Sequence, residues 1–446
     1  MSNLSKEEVI AYDRQYNQHP WHRGGTDALP IRRAEGIYYW DYDGNRYYDM
    51  ASQLSNVNLG HANPEINQAI IRQLNDYAYM NPAKASAPRS ELAKKLVDLA
   101  PDNIAKVFFT NAGADANEAA IYTARAFTGR SKILTRYRSY HGATYGSVNL
   151  SGDPRRIDRE KPAAPGFLKF FDPYVYHSRI PFKDDREASE YYLSQLEEQI
   201  IYEDPETIAA VEIEAITGAN GVIIPPDGYL QGLRALTRKY GILLICDEVM
   251  TGFYRTGKLF AFQNWGIEPD IISFAKGVTS GYVQLGGILF SKEIADYFTQ
   301  HPFNFGLTYS GHPLACAAGV ANLNYYESHH IEERVNKLGK VFGDLLDELK
   351  QKHISAGDSR HIGLFGALEL VKNKETREPL VPYGKDPDGI MADIRGRLQK
   401  NGFTAFGREN NINVAPPLII TEQELRDAFQ ILDQVLSYVD RKYVEQ

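Results

Sequence analysis

The sequence predicts an α/β protein with a large domain on a mainly parallel sheet and a smaller α+β domain. From about residue 64, helical patterns alternate with short apolar runs, which lie at 107–110, 132–135, 208–213, 242–246, 271–274 and 287–290. Such runs, closed by Gly or a charge, are typical of strands buried on both faces, with helices crossing between parallel strands. After residue 360 short strands and helices mix, which predicts the second domain.

The two ends of the chain differ from this middle part. Residues 1–35 have few periodic apolar positions and predict an arm rather than a domain. Two aromatic runs flank Asp43 and Gly44, a turn pair that predicts a β-hairpin. We therefore expect three segments, which are 1–60 (the arm and part of the small domain), 61–325 (the large, cofactor-binding domain) and 326–446 (the C-terminal part of the small domain).

Composition excludes several classes of protein. The 446 residues are 43% hydrophobic and 24% charged with a net charge of -8, as in an ordinary globular protein. Basic runs that would bind nucleic acid or an acidic membrane are absent, and we expect neither as a partner. Cys246 and Cys316 have no disulfide or metal-ligand spacing, so we expect a reducing compartment and no metal. The polar, acidic N-terminus lacks the features of a signal peptide, and we expect a cytoplasmic protein.

Two of the apolar runs end in groups that carry chemistry. Asp247 directly follows the run at 242–246, and Lys276 closely follows the run at 271–274. Because parallel strands end at one edge of a sheet, this acid and this amine are expected to face one crevice. Pyridoxal phosphate requires that pair, since a lysine binds its aldehyde as a Schiff base and an aspartate keeps its pyridine nitrogen protonated. The alternatives are a solvated surface lysine, and an acidic strand end that holds Mg²⁺ in a nucleotide-hydrolysing enzyme.

The Mg²⁺ alternative can be weighed on the segment 252–258. It has Gly252, Gly257 and Lys258 at the spacing of a phosphate-binding loop. Position 259 is Leu, however, where a hydroxyl would have to hold the metal, and the segment directly follows the acidic strand. We interpret the spacing as a coincidence, and an ATP-binding protein stays as the distant alternative.

Further polar or aromatic positions follow the other strands. Gly113 and Ala114 open a helix after the run at 107–110, where backbone N–H groups favour a phosphate. Tyr140 follows the run at 132–135 and could stack on a flat cofactor, although a ring that fills a loop is commoner. Glu214 ends the run at 208–213, and Thr308 lies in a polar turn that by itself predicts only a helix cap.

In this order along the chain, these motifs resemble the class III aminotransferases, pyridoxal-phosphate enzymes of fold type I that act mainly on ω-amino groups. The carrying segments are 112–118, 140–142, 246–249, 255–257, 276–277 and 308–313, and the resemblance spans nearly the whole chain. It implies a mainly parallel seven-stranded sheet and a homodimer with shared active sites, alone or paired into a tetramer. Position 114 is Ala where the family commonly has a hydroxyl, so phosphate binding would depend on backbone N–H groups.

The resemblance also implies a role for each matched residue. Lys276 would hold pyridoxal 5′-phosphate and move the substrate proton, and Asp247 would pair with the pyridine nitrogen. The other implied cofactor contacts are Glu214 at a strand end, Tyr140 and Val249 on the ring, Gly113 and Ala114 at the phosphate, and Thr308 at the phosphate of the neighbouring subunit.

The substrate is predicted from fewer residues. Arg408 falls where related enzymes carry a mobile arginine for the second carboxylate of 2-oxoglutarate, with a surface arginine as the alternative. Leu54 and Ser55 lie in a small, polar pocket segment, and Trp21 in an N-terminal His-Pro-Trp-His arm. These stretches look most like the taurine aminotransferase branch, so we expect transfer from taurine to 2-oxoglutarate. β-Alanine or 4-aminobutyrate with 2-oxoglutarate or pyruvate is the alternative, and an aminomutase or decarboxylase would share the same residues.

Overall fold

A computed structural model describes residues 4–21, 27–157 and 163–444. Its main sheet has seven strands in the order β4-β10-β9-β8-β7-β5-β6. The strands of the molecule in chain order are β1 Ile31–Glu35, β2 Tyr38–Asp41, β3 Arg46–Asp49, β4 Ile104–Thr110, β5 Lys132–Arg136, β6 Phe167–Phe170, β7 Ile208–Ile213, β8 Leu243–Asp247, β9 Ile271–Phe274, β10 Gly286–Ser291, β11 Ala356–Ile362, β12 Phe365–Asn373, β13 Glu378–Pro379, β14 Phe403–Thr404 and β15 Asn411–Val414.

The main sheet confirms the predicted mainly parallel arrangement. Strands β6, β5, β7, β8 and β9 pair in parallel, while β10 is antiparallel to both β9 and β4. All six predicted runs are strands of this sheet, and β6 at its edge was not predicted. Because only β10 runs the other way, the carboxyl ends of the remaining strands meet at one edge of the sheet.

Helices cover both faces of the sheet and separate its strands along the chain. They are α1 Lys6–Tyr16, α2 Ser52–Ser55, α3 Pro64–Asp76, α4 Ala87–Leu99, α5 Gly113–Thr128, α6 Tyr145–Leu150, α7 Asp185–Tyr202, α8 Tyr229–Lys239, α9 Lys292–Gln300, α10 Pro313–Ser328, α11 Ile331–Lys352, α12 Ile390–Lys400 and α13 Glu422–Val439. None of those in the described ranges has both the length and the apolar content that a membrane crossing needs.

Two smaller four-stranded sheets lie outside the main one. The predicted hairpin is present, since β2 and β3 pair antiparallel on either side of the Asp43–Gly44 turn. Strand β3 also pairs in parallel with β14, which joins the beginning of the chain to its C-terminal part. Strands β11, β12, β13 and β15 form the third sheet. This pairing supports our proposal that segments 1–60 and 326–446 build one smaller domain beside 61–325.

Helix α1 was not predicted, and the reason is its lack of a buried face. A capping box at Ser5 and Glu8 starts the helix, but none of its residues is buried. Without an apolar stripe the sequence carries no periodic signal. His330, at φ +49°, separates α10 from α11.

Candidate active site

A cavity of about 490 Å³ opens at the carboxyl edge of the main sheet. Its wall brings together eight of the residues predicted from the sequence, which are Leu54, Gly113, Ala114, Tyr140, Glu214, Asp247, Val249 and Lys276. Four others, namely Trp21, Ser55, Thr308 and Arg408, are not among the described residues that line this wall. The residues predicted at strand ends thus converge on one site, as parallel topology requires.

Lys276 follows β9 in a conformation that few residues adopt. Its φ is +48°, in the left-handed region where a side chain is strained, and such strain is concentrated at functional sites. Burial lowers the pKa of its amine, and the carboxylates of Asp247 and Glu214 only partly offset that effect. A lowered pKa favours the neutral amine, which is the form that attacks an aldehyde.

Asp247 is held rigidly at the end of β8. Its Oδ2 accepts hydrogen bonds from Asn117 Nδ2 at 2.8 Å and lies 2.7 Å from His141 Nδ1, while Oδ1 accepts from the N–H of Val249 at 2.9 Å. Burial opposes a charge on His141, but the bond to Asp247 and the nearby carboxylates outweigh it and raise the pKa of His141 to about 9. The imidazolium therefore makes a charge-assisted hydrogen bond that fixes the side chain of Asp247, in the position where a protonated ring nitrogen would pair with it.

Glu212 lies behind this pair, and the sequence analysis missed it. It is fully buried in β7, both of its oxygens lack a hydrogen-bond partner among the described residues, and Oε1 is 3.9 Å from His141 Nδ1. Burial raises the pKa of Glu212 to about 8. His141, Glu212 and Asp247 bring ligand atoms within 4.8 Å of one another, as a metal site would, but the hydrogen bond between His141 and Asp247 makes this a proton-sharing cluster.

The start of helix α5, where the sequence predicts a phosphate site, lies on the cavity wall. A side chain at Gly113 would place its Cβ 2.7 Å from Cγ1 of Val249, so only glycine allows this turn to pack against the end of the acidic strand. Gly142, at φ +138°, lies equally close to Ala114. The N-terminus of a 16-residue helix carries partial positive charge and free N–H groups, which suit a phosphate.

Tyr140 and Glu214 form the opposite wall. Glu214 accepts hydrogen bonds from the N–H groups of Tyr140 at 3.0 Å and Gly218 at 2.7 Å, and it thereby connects two loops. Burial raises the pKa of Glu214 to about 7. The side chain of Glu214 thus fixes the backbone at Tyr140, whose ring was predicted to stack on the cofactor.

Arg155 lies behind this wall, against Tyr140, and was also missed by the sequence analysis. Its guanidinium carbon lies 3.5 Å from the centroid of the Tyr140 ring and 6.0 Å from that of Trp21. Asp153, which is fully buried, holds it through both carboxylate oxygens. No motif marked Arg155, because it lies in a helical turn of only three residues, where it and Arg156 resemble a surface arginine pair.

Arg408 lies next to this pair, beyond the cavity wall. Its Nη1 is 4.0 Å from Oδ2 of Asp153, and its guanidinium makes no hydrogen bond with the described residues. Burial lowers the pKa of Arg408, and the positive charge of Arg155 lowers it further. The two arginines are therefore neighbours that share one carboxylate.

The remaining predicted residues take different positions. Trp21 is 54% exposed at the mouth near Arg155, and His22 of the same motif lies outside the described residues. Leu54 and Asn56 line the cavity, whereas Ser55, between them, is buried and does not. The position of Ser55 therefore does not support its predicted contact with substrate. Thr308 is exposed, and its carbonyl accepts a hydrogen bond from the hydroxyl of Tyr79 at 2.9 Å.

The segment 252–258 does not have the geometry of a phosphate-binding loop. The N–H of Gly252 donates to Glu248 O, that of Tyr254 to Lys258 O and that of Gly257 to Tyr254 O, at 2.9, 3.1 and 3.0 Å. These groups are used inside the turn, so they cannot surround a phosphate. The structure gives no support to the ATP-binding alternative.

The cavity residues fit pyridoxal phosphate on three observations. One cavity is lined by Lys276, whose amine has a lowered pKa, and by Asp247, which is buried and hydrogen-bonded. It is also lined by the start of α5, where Gly113 leaves no space for a side chain. Lys276 would hold the aldehyde carbon, Asp247 the ring nitrogen, and the start of α5 the phosphate.

Comparison with known proteins agrees with this fit. The family model for class III aminotransferases matches residues 22–436. The solved structure of the taurine:2-oxoglutarate aminotransferase from Bifidobacterium kashiwanohense, in complex with pyridoxal phosphate and glutamate, superposes with a TM-score of 0.97. It is 51% identical and covers 99% of this chain and 100% of that one.

More distant relatives have several amino donors in their names. The putrescine–pyruvate aminotransferase of Pseudomonas aeruginosa is 35% identical over 98% of this chain and 99% of its own length. The chloroplastic gamma aminobutyrate transaminase 3 of Solanum lycopersicum is 34% identical over 94% of this chain and 84% of its own. The chain belongs to the class III aminotransferases, and as an enzyme of fold type I it uses pyridoxal 5′-phosphate and takes an amino donor and a 2-oxo acid as substrates.

Proposed function

We propose that this aminotransferase moves the amino group of taurine to 2-oxoglutarate, giving sulfoacetaldehyde and glutamate. The observation that carries the proposal is the pair of neighbouring guanidinium groups, Arg155 and Arg408, beside the cavity. Taurine ends in a sulfonate and 2-oxoglutarate in a second carboxylate, so each substrate brings one anion that needs a cationic fork. The likeness to the taurine:2-oxoglutarate aminotransferase supports the same substrates.

The cofactor supplies an aldehyde that binds amines covalently and a ring that accepts electrons from the substrate carbon. The residues of the chain do the rest. Lys276, on the cavity wall, would take the proton from the substrate carbon and return it in the second half of the transfer. Asp247 would hold the proton of the ring nitrogen, and His141 fixes the carboxylate of Asp247 through a hydrogen bond. Tyr140 covers one face of the ring and excludes water from it.

Arg155 is the group we assign to the sulfonate of the donor. It lies flat on Tyr140, which itself lines the cavity, so an anion that reaches Arg155 leaves its amino end near Lys276. Trp21 lies on the other side of Arg155 and adds an aromatic edge to the mouth. Arg408, which lies farther out and makes no hydrogen bond with the described residues, is assigned to the second carboxylate of the oxo acid.

The alternative donor is 4-aminobutyrate or β-alanine, with 2-oxoglutarate or pyruvate as acceptor. A guanidinium accepts a carboxylate as well as a sulfonate, and relatives at 31 to 34% identity have gamma aminobutyrate in their names. Leu54 and Asn56 on the wall leave room for either chain length. Arg155 alone does not separate these donors.

We also propose that the enzyme acts as a homodimer with shared sites. Thr308 is exposed and does not line the cavity of its own chain, as expected of a residue that reaches the phosphate in the partner. Tyr79 and Tyr309 pack against each other beside it and are 42% and 57% exposed, which suits a surface that a second copy covers. A cytoplasmic location stays a prediction.

The first experiment follows the visible absorption of the purified protein as taurine is added without any oxo acid. If the yellow band of the bound cofactor bleaches, and 2-oxoglutarate then restores it with glutamate as product, the proposal stands. If taurine leaves the band unchanged while 4-aminobutyrate or β-alanine bleaches it, taurine is wrong and the alternative donor is right. Hexylamine, which has no anionic end, serves as the comparison that shows whether the anion matters.

A further inference from the structure

Asp153 is a buried carboxylate whose role is not accounted for by the chemistry above. It caps the short helical turn Pro154–Arg156, where its Oδ1 accepts the N–H of Arg155 at 2.9 Å. Its side chain is fully buried, and Oδ1 and Oδ2 lie 3.1 and 2.9 Å from Nε of Arg155, with a further contact from Nη2 to Oδ2. A buried aspartate is costly unless it is paired, so its pairing needs an explanation.

This pairing immobilises one arginine on two sides. Asp153 holds the edge of the guanidinium of Arg155, and the ring of Tyr140 lies 3.5 Å below the guanidinium carbon. Tyr140 is fixed in turn through its N–H to Glu214. A guanidinium held at its edge and its face has little freedom, and only its remaining N–H groups can turn toward a ligand.

The same carboxylate holds Arg408 much more weakly. The gap from Arg408 Nη1 to Asp153 Oδ2 is 4.0 Å, which is an electrostatic attraction and not a hydrogen bond. The loop of Arg408 is anchored through its backbone, because its carbonyl accepts the N–H of Asn411 at 2.9 Å. One arginine is therefore fixed and the other can swing.

Arg155 and Arg408 share the single carboxylate of Asp153, and Arg138 lies nearby, so positive groups outnumber the carboxylates of this corner. Glu409, the next carboxylate, lies 3.6 Å from Arg138 and has one buried oxygen without a partner among the described residues. Burial raises the pKa of Glu409 to about 7, so this group only partly offsets the excess. The corner has a place for one further anion, which a substrate can supply.

We infer that Asp153 is a positioning residue for substrate specificity: it fixes Arg155 as the anion-binding group for the amino donor and leaves Arg408 free to bind the second carboxylate of the oxo acid. The inference rests on the proposed function, since it assigns the two arginines to the two substrates. Asp153 is thus expected to act on the position of the Arg155 guanidinium and not on its charge.

Removing the charge of Asp153 separates this role from the simplest alternative. If the aspartate were only a resident countercharge that competes with substrates, Asp153→Asn would strengthen the binding of anionic donors. If it positions Arg155, the same change weakens their binding, because asparagine offers the guanidinium only one neutral acceptor instead of a charged pair. The two hypotheses predict opposite signs.

The test compares the holoenzymes of wild type and Asp153→Asn. We expect the KM for taurine to rise about tenfold, with kcat and the KM for 2-oxoglutarate changed less than about twofold. Equilibrium titration of ethanesulfonate, which has no amino group, gives a second readout, and its Kd should rise by the same factor. Asp184→Asn, at the exposed N-cap of α7, is the matched control and should change none of these values.

A second variant guards against misfolding at this buried position. Arg155→Lys should raise the KM for taurine selectively. In the double variant, which carries Asp153→Asn and Arg155→Lys, the KM for taurine should be no higher than in the more affected single variant, because each change removes the same positioned guanidinium. An unchanged or lowered KM for taurine in Asp153→Asn, or additive effects in the double variant, would overturn the inference. If wild type rejects taurine, the proposed function fails, and the same ratios measured with 4-aminobutyrate still decide the role of Asp153.

Discussion

The cavity has two sides that are built in different ways. The cofactor side consists of Asn117, His141, Glu214, Asp247 and Lys276, and the substrate side of Trp21, Asp153, Arg155 and Arg408. On the cofactor side, Glu214, Asp247 and Lys276 lie at or just past the ends of strands, and hydrogen bonds join neighbours across the edge of the sheet. On the substrate side the residues lie between α1 and β1, in a short helical turn, and in the loop between β14 and β15.

The difference shows which half of an enzyme can vary. The cofactor side depends on the main sheet, so a displaced side chain there would cost core packing as well as a hydrogen bond. The substrate side depends on a few charged contacts between connecting segments, where sequence can change without loss of the fold. Chemistry is thus set by the sheet, and the choice of substrate by the segments around it.

The largest expected effect is on the cofactor side. Lys276→Ala removes the amine that holds the cofactor and moves the proton, and turnover should fall on the order of 1,000-fold or more. Initial rates and the visible spectrum measure this together. Lys258→Ala is the control, since Lys258 pairs with Glu332 on the surface at 2.7 Å, and it also tests the phosphate-loop alternative. Equal losses in both variants would contradict the assignment.

The two sides also differ in how far the sequence predicts them. Asp247 and Lys276 could be found because an apolar run marks each strand and the charge beyond it marks the site. Arg155 could not, since a helical turn of three residues is too short to show a period and its partner, Tyr140, is close only in the folded chain. Glu212 did have a signal, a lone acid inside the buried run at 208–213, which is unusual enough to indicate function.

The fold follows the same rule. The strands buried on both faces were predicted because their apolar runs are continuous. Strand β6 was missed because it is a four-residue edge strand, Phe167–Phe170, with a lysine inside it. Helix α1 was missed because it buries nothing in its own chain. Elements that contribute little to the core of one chain leave little pattern in its sequence.

The next effect sharpens the comparison within the cofactor side. Asp247→Asn keeps the shape of the residue but removes its charge, so the ring nitrogen loses its proton and kcat should fall at least about 100-fold. His141→Gln removes only one charged hydrogen bond to that aspartate and should cost about tenfold. Steady-state kcat for both variants checks the order. A larger loss for His141→Gln would mean that the histidine acts directly and not through Asp247.

A smaller and more selective effect is expected on the substrate side. Arg408→Lys keeps the charge but loses the planar fork, so the KM for 2-oxoglutarate should rise between about tenfold and a hundredfold. The taurine concentration that half-bleaches the cofactor band, measured without oxo acid, should stay unchanged. Arg186→Lys, on an exposed helix face, is the control. If this concentration and the KM for 2-oxoglutarate rise together, the two arginines form a single anion site, and the division of their roles is wrong.

The last effect concerns stability and shows what the cofactor side costs the fold. Burial raises the pKa of Glu212 from 4.5 to about 8, and His141, Asp247 and Glu118 are the charged groups that face it. Between those two pH values the folded protein binds a proton that the unfolded chain has lost, so stability falls as pH rises through this window, by up to about 1.4 kcal/mol per pH unit. Glu212→Gln cannot lose a proton, and its unfolding temperature should therefore fall less than that of wild type between pH 5 and 8.

Calorimetric scans at several pH values measure how steeply each unfolding temperature falls, with the exposed Glu293→Gln as a control that keeps the wild-type slope. If the unfolding temperatures of Glu212→Gln and wild type fall in parallel with pH, Glu212 stays ionised in the folded protein. The hypothesis that it is a neutral acid behind His141 and Asp247 would then be wrong.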